Sequence, residues 1–224
     1  MNGDAAAPEV VQRKDESGAV ISEAQMQDGV LTGPAASYHA NGQVAHSASF
    51  AAGKLEGEVV QYDPAGQPLA RMTFHDGVLD GPMTVYAQGR KQAEMSYAKG
   101  VLDGEMKTYD PAGRRLSVAP YKAGAIDGTM ITFHPNGAKL REAPFRAGVL
   151  EGEAVDYWES GGVRQRAVWH ADLLDGPLTS YHENGEVNEE AVFERGKLVS
   201  RRQAAPGGPG KPPKKSWIDK AFGG

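Results

Sequence analysis

Gly53-Lys54-Leu55-Glu56-Gly57-Glu58-Val59-Val60-Gln61-Tyr62-Asp63-Pro64-Ala65-Gly66, followed by Phe74 and then by Gly77-Val78-Leu79-Asp80-Gly81, carries the reading of the whole chain. Its Gly-x-Leu-x-Gly element returns at Gly29/Leu31/Gly33, Gly100/Leu102/Gly104, Gly124/Ile126/Gly128 and Gly148/Leu150/Gly152. Another copy has Asp172 in the first glycine place, before Leu174 and Gly176, and a last one keeps Gly196 and Leu198 but ends in Ser200. The step is 24 residues, once 23, in the unit of Tyr86 and Gly89. Five residues past each second glycine stands an aromatic: Tyr38, Tyr62, Tyr86, Tyr109, Phe133, Tyr157 and Tyr181. Eleven or twelve residues later comes another, in the series Phe50, Phe74, Tyr97, Tyr121, Phe145, Trp169 and Phe193. Self-similarity at a fixed short period marks a chain of stacked supersecondary units.

Each unit has the grammar of a β-hairpin. Asp63-Pro64-Ala65-Gly66, Asp110-Pro111-Ala112-Gly113 and His134-Pro135-Asn136-Gly137 suit a type I turn, with proline presetting φ and glycine taking the left-handed place that follows. Asn41-Gly42 and Asn184-Gly185 read as the short-hairpin dipeptide. On the outgoing strand, residues two and four places before the ring share its face, pairing small or flexible residues with rings, as in Ala143/Phe145 and Ala167/Trp169. The other face, with Arg71, Arg141, Arg164 and Glu190, is expected to be wet. Gly-x-Leu-x-Gly then links one hairpin to the next, its leucine turned inward. The fold class expected is all-β: an elongated antiparallel β-hairpin repeat array forming a single twisted sheet.

Composition agrees. The chain has 29 glycines in 224 residues, nearly twice the average share of about 7%, with aromatics at 8%, so the excess belongs to turns. Absence of cysteine excludes disulfides, thiolate metal sites and cysteine nucleophiles. No apolar run approaches the roughly 18 residues of a membrane helix, and Asp4, Glu9, Arg13, Lys14 and Asp15 stand where a signal peptide needs apolar residues, so the chain reads as cytoplasmic. From Lys197 onward seven basic residues face Asp219 alone, a charge of +6, which leaves 17 Lys and Arg against 28 Asp and Glu in the rest, or −11. An acidic body argues against nucleic acid and against an anionic membrane as the main ligand.

The pattern Tyr-x-x-x-Gly, an aromatic twelve on, then Gly-x-Leu-x-Gly, resembles the MORN repeat, in the variant form of the bacterial YwqK-like antitoxin family. The resemblance covers about Gly18 to Ser200 and implies a non-enzymatic binding or scaffolding module whose partner is another protein, in one version a toxin or effector. The chain divides accordingly into a degenerate N-terminal cap over 1–17, the repeat array over 18–200, a Pro/Gly/Lys-rich linker over 201–215 and a short amphipathic motif over 216–224. The cap's first strand, charged and irregular, is expected to keep the array from pairing with further copies.

Chemistry within the repeats is sparse. No phosphate-binding loop and no Gly-x-Ser-x-Gly elbow is present, no cofactor is implied, and no convergent set of titratable groups points to an enzyme. His39, His134 and His182 follow the first aromatic of their units, and Asp63 and Asp110 fill the same place in others. Equivalent places two strands apart lie roughly 9.6 Å from one another, too far to share an ion, so these read as turn-flanking residues, with a site completed by neighbouring side chains as the alternative. An acidic row, Glu56, Asp80, Asp103, Asp127, Glu151 and Asp175, precedes each second glycine. It reads either as turn chemistry and solubility or as a negative stripe that receives a basic partner. After the linker, Trp217, Ile218 and Phe222 form one apolar face of a helical turn capped by Ser216, a docking motif for a partner, for the chain's own sheet or for a membrane surface.

Overall fold

The computed structural model describes residues 7–204, and among them every regular element is a β-strand. They fall into two compact units. The first holds β1 (Glu9–Lys14), β2 (Val20–Gln27), β3 (Val30–Tyr38), β4 (Val44–Ala51), β5 (Lys54–Leu55), β6 (Gly57–Tyr62), β7 (Pro68–His75), β8 (Val78–Ala87), β9 (Arg90–Ala98), β10 (Val101–Leu102) and β11 (Gly104–Tyr109). β12 (Arg115–Lys122) gives Arg115–Pro120 to the second unit and its last two residues to the first. The second continues with β13 (Ala125–Ile126), β14 (Gly128–Phe133), β15 (Lys139–Arg146), β16 (Val149–Leu150), β17 (Gly152–Tyr157), β18 (Val163–His170), β19 (Leu173–Tyr181), β20 (Val187–Glu194) and β21 (Lys197–Gln203). Within each unit the strands make an open antiparallel sheet. β21 runs on through Arg201, Arg202 and Gln203, which composition had assigned to the linker.

One register recurs in every long hairpin. The second glycine of each link lies opposite the following ring: Gly57 against Phe74, Gly152 against Trp169, Gly176 against Phe193. The link leucine lies opposite the preceding ring, Leu55 against Phe50 and Leu150 against Phe145. A ring thus covers a bare stretch of backbone on one side and a leucine on the other.

Two turn types alternate. Past the first aromatic, the expected type I turn with a left-handed glycine forms: the Gly66 amide donates to the Asp63 carbonyl at 2.9 Å, and Gly66 has φ 79. Asn41-Gly42 and Asn184-Gly185 belong to this same loop, since the Gly42 and Gly185 amides return to His39 and His182, and they are not two-residue turns as the dipeptides suggested. The two-residue turns lie instead at the links, where Ala147 and Gly148 both take positive φ, 48 and 86, between the paired residues Arg146 and Val149. Two adjacent left-handed residues define a type I′ turn, whose twist suits a tight hairpin. The 23-residue unit is explained here as well: Gln88 and Gly89 have φ 52 and 71 between paired Ala87 and Arg90, so the missing residue turns a longer loop into a second type I′ turn.

Packing departs from a one-sided core. Ala70, Ala143, Ala154, Ala167 and Ala191 are buried on the ring face, but Val60, Val155 and Val192 are buried on the opposite one. Among the described residues no large side chain falls below 2% exposure, and every ring stays half-buried. Arg141 sits on the ring face, four residues before Phe145, with its guanidinium 5.8 Å from the Trp169 ring centre, and not on the wet face where it was expected.

Candidate binding surfaces

The link edge is tied together by backbone. The amide of each first-glycine position donates to the leucine or isoleucine carbonyl of the preceding link: Gly53 to Leu31, Gly77 to Leu55, Gly100 to Leu79 and Gly124 to Leu102 in the first unit. In the second unit Gly148 reaches Ile126, Asp172 reaches Leu150 and Gly196 reaches Leu174, the seven bonds spanning 2.7 to 3.2 Å. Asp172 keeps this bond at φ 64, and its Oδ1 accepts the Leu150 amide at 2.8 Å, so the departure from glycine adds a contact.

Half of the acidic row works on this edge. Glu56 accepts the Asp76 amide at 2.9 Å and contacts His75 Nδ1 at 2.7 Å; Glu151 accepts the Ala171 amide at 3.0 Å and contacts His170 Nδ1 at 2.7 Å. Asp103 accepts the Ala123 amide at 3.2 Å. Those amides, on the first residue of the next type I′ turn, hold the Glu56 and Glu151 carboxyls below the ordinary carboxylate range, the histidine contacts adding to the effect. Glu56 in turn raises His75 through its hydrogen bond and charge. Asp80, Asp127 and Asp175 hold the same place in the alternate repeats, and Asp127 is exposed. Sequence reasoning passed over His75 and His170; the signal was their position directly after a ring and 19 residues beyond a glutamate of the row.

At the loop edge side chains make the bonds. His39 and His134 set Nε2 3.0 Å from the Tyr62 and Tyr157 carbonyls, and Asn41 and Asn136 donate to Pro64 and Glu159 carbonyls. Asp63 and Asp110 accept amides of their own turns at 2.8 to 2.9 Å. Asp63 and Asp110 are thus spent on their own turns, and His39 and His134 on bonds to the next repeat.

The first aromatics face away from the second. Tyr38, Tyr109 and Tyr157 donate to Glu23, Glu94 and Glu142 at 2.5 to 2.6 Å, and Lys91 and Lys139 pair with the last two glutamates. Glu142 neighbours Ala143 in β15 and so points to the opposite side of the sheet. The hydrogen bond to Glu142, with burial, pushes the Tyr157 phenol up to about 12. That face thus carries a polar network beside its buried valines, whereas the ring face carries the rings, the buried alanines and the link leucines. In the second unit Leu150, Ala143 and Ala154 form a buried cluster with Phe145 and Trp169 packed against it. Asp156, 9% exposed, lies there opposite Arg141. Trp217, Ile218 and Phe222 lie outside the described residues.

Two segments, residues 55–76 and 174–195, match the family model of the MORN repeat variant. Each runs from the link leucine, Leu55 or Leu174, to the first residue of the next type I′ turn, Asp76 or Arg195, so the match coincides with the structural unit. No curated protein matches the chain. Solved structures with a similar stretch include the crystal structure of TcdB2-TccC3, 12% identical with a TM-score of 0.25, covering 86% of this chain and 13% of that one. The Photorhabdus luminescens Tc holotoxin pore is another, 12% identical with a TM-score of 0.24, covering 83% of this chain and 12% of that one. The chain therefore spans 12 to 13% of the length of those proteins.

Proposed function

We propose that this chain is a non-enzymatic repeat module that binds another protein across its ring face, as an adaptor or as an antitoxin-like neutraliser of a toxin or effector. One observation carries the reading: Phe145, Trp169 and Phe193 stand half-buried in a row between buried alanines, with no second layer over them among the described residues. Aromatic rows of this kind supply large contact area at low entropic cost and serve as anchors when a partner covers them. Asp80, Asp127 and Asp175 remain for steering a basic partner, because Glu56, Asp103 and Glu151 are engaged in turns.

The test is affinity capture from the native cell with identification of the bound protein, repeated with Trp169→Ser and with Asp80, Asp127 and Asp175 reversed to lysine. Loss of capture with the first, and a slower, salt-sensitive association with the second, support the reading. A partner that binds both variants as it binds the wild type removes it. A second reading, adsorption to anionic lipid, is favoured by β21, where Leu198 and Val199 are 52% and 55% exposed beside Lys197, Arg201 and Arg202. Vesicles containing phosphatidylserine discriminate: binding that Arg201→Glu with Arg202→Glu abolishes assigns the function to lipid.

A further inference from the structure

We infer that β1 is a self-complementary edge through which two copies of this chain pair, antiparallel and related by a two-fold axis. Among the described residues β1 is hydrogen-bonded on one side only, to β2, and all six of its residues are exposed. Val10 and Val11 are 66% and 44% exposed. A strand so placed presents a row of unpaired amides and carbonyls along its outer side. The edge is also held in shape. Asp15 Oδ1 accepts the Ser17 amide at 2.9 Å, the Ala19 amide at 3.0 Å and the Ser17 hydroxyl at 2.6 Å, which closes the β1–β2 turn and leaves little ordering for a partner to impose.

Edges are commonly blocked by charged side chains, by proline or by a bulge that twists the strand away. Three of the six residues of β1 are charged, which is why its sequence led to the expectation of a blocked edge, but they are of both signs and so can complement a second copy. Its centre is Val10-Val11-Gln12, and the register irregularity near Arg13 and Lys14 places the extra residue, Ile21, on β2. The charges of β1 stand at its ends, Glu9 at one and Arg13 with Lys14 at the other. Successive residues of a strand alternate in face and in hydrogen-bonding side, so a two-fold axis can pair only residues of like parity. Antiparallel pairing of two copies about Val11 meets this condition: it sets Glu9 of each opposite Arg13 of the other, Val10 opposite Gln12 and the two Val11 side chains together. That register pairs opposite charges twice and sets no like charges face to face.

The other edge does not offer this. β21 carries Lys197, Arg201 and Arg202 and no carboxylate of its own, and Arg201 is already paired with Glu189 of β20 at 2.8 Å. Self-pairing therefore brings six cations together with no carboxylate on either edge strand, and pairing with β1 sets Glu9 alone against them while adding Arg13 and Lys14. Charge thus selects the closed two-fold arrangement over a head-to-tail filament. A six-residue edge makes a small interface, so the dimer is a dynamic one whose population follows concentration. It presents two ring faces in one particle, which raises avidity for a partner that is itself paired. The inference stands independently of what the ring face binds.

Sedimentation equilibrium of the full chain over a wide concentration range is the test, with circular dichroism to verify that each variant is folded. The wild type is expected to move from monomer to dimer. Glu9→Lys, an exposed change, is expected to weaken association roughly tenfold, since two favourable pairs become two repulsive ones. Adding Arg13→Glu and Lys14→Glu to Glu9→Lys is expected to restore it. A wild type that stays monomeric, a dimer indifferent to Glu9→Lys, a failure of the triple variant to recover, or a dimer lost through changes in β21 would each overturn the inference.

Discussion

At the loop edge Asp63 and Asp110 close the turns in which they stand, accepting amides two and four residues ahead, whereas at the link edge Glu56 and Glu151 close a turn 20 residues further on. Both edges also carry bonds between repeats, but of different kinds. Those at the loop edge come from changing side chains, His39, Asn41, Arg90, His134 and Asn136. Those at the link edge come from the backbone and persist in all seven turns, including the one where Asp172 replaces glycine. The loop edge accordingly tolerates what the link edge does not show: a deleted residue at Gln88-Gly89, and Trp158 where five other repeats place histidine or aspartate. The link edge is the spine of the array, and the loop edge is where the units vary.

The largest expected effect contrasts one residue from each edge in the second unit. Leu150, 9% exposed and packed with Phe145 and Trp169, is expected to cost about 2–4 kcal/mol on change to alanine. Asn136→Ala, which removes bonds to the Glu159 carbonyl and the Ala138 amide, is expected to cost about 1 kcal/mol. Equal losses in urea unfolding would break the distinction between spine and rim.

Glycine substitution sharpens it. Gly152, at φ 112, would bring a new Cβ to 3.2 Å from Pro144 Cγ, so Gly152→Ala is expected to cost about 2–3 kcal/mol through backbone strain and contact together. Gly137, at φ 87 with nothing within 4 Å, has only the left-handed conformation to lose, about 1 kcal/mol. Similar midpoints for the two alanine variants would mean that the close approach at the link does not matter.

The same contrast explains what could be read from residues alone. Strands, rings, inward leucines and type I loops were legible because their signals lie within one unit: proline, the left-handed glycine and period-two alternation act over a few residues. Several type I′ turns escaped because their first positions are Ala52, Ala123, Ala147 and Ala171, residues without a turn signature that are held at φ 48 to 50 by the strands on either side; Asp28-Gly29 and Asp76-Gly77 did carry the Asp-Gly signal, but it was absorbed into the link element. The acidic row was legible as a row, but its division was not, since whether a carboxylate meets an amide 20 residues on depends on how neighbouring links stack. The tyrosine face escaped for a related reason. Tyr157 and Glu142 are 15 residues apart, and only the register of β15 against β17 brings them together.

A smaller effect of opposite sign is expected from Ala147→Asn. Ala147 is exposed at φ 48 in a turn position where asparagine is favoured, and Asn-Gly is the dipeptide such turns prefer. Relief of the left-handed penalty is expected to stabilise the protein by about 0.5–1 kcal/mol, measured as a higher urea midpoint. The loop-edge control is Ala138→Asn, outside any such turn and expected to give no gain. A gain at both would assign the effect to asparagine itself.

The smallest effect is the pH dependence of the Glu56–His75 contact, whose side chains are 38% and 68% exposed and therefore well screened. His75 is raised above its ordinary value of 6.5, so its contribution is complete below about pH 6.5 and disappears as pH rises through the folded-state value. Glu56 is lowered below its ordinary 4.5, so its contribution is complete above that value and is lost as pH falls through the folded-state one. Between these limits both groups favour the fold. On the alkaline side Glu56 still accepts the Asp76 amide, and only the histidine's part is lost. Urea midpoints at about pH 5.5 and about pH 8.5 should therefore separate wild type from His75→Gln more at the lower pH, and the gap should narrow with salt. Asp110 is the loop-edge comparison, lowered first by the Arg114 amide and with no histidine among its partners, so Asp110→Asn should alter only the acid limb. A gap between wild type and His75→Gln that stays constant with pH would show that His75 acts through packing alone, and that the link-edge carboxylate owes its role entirely to the backbone amide.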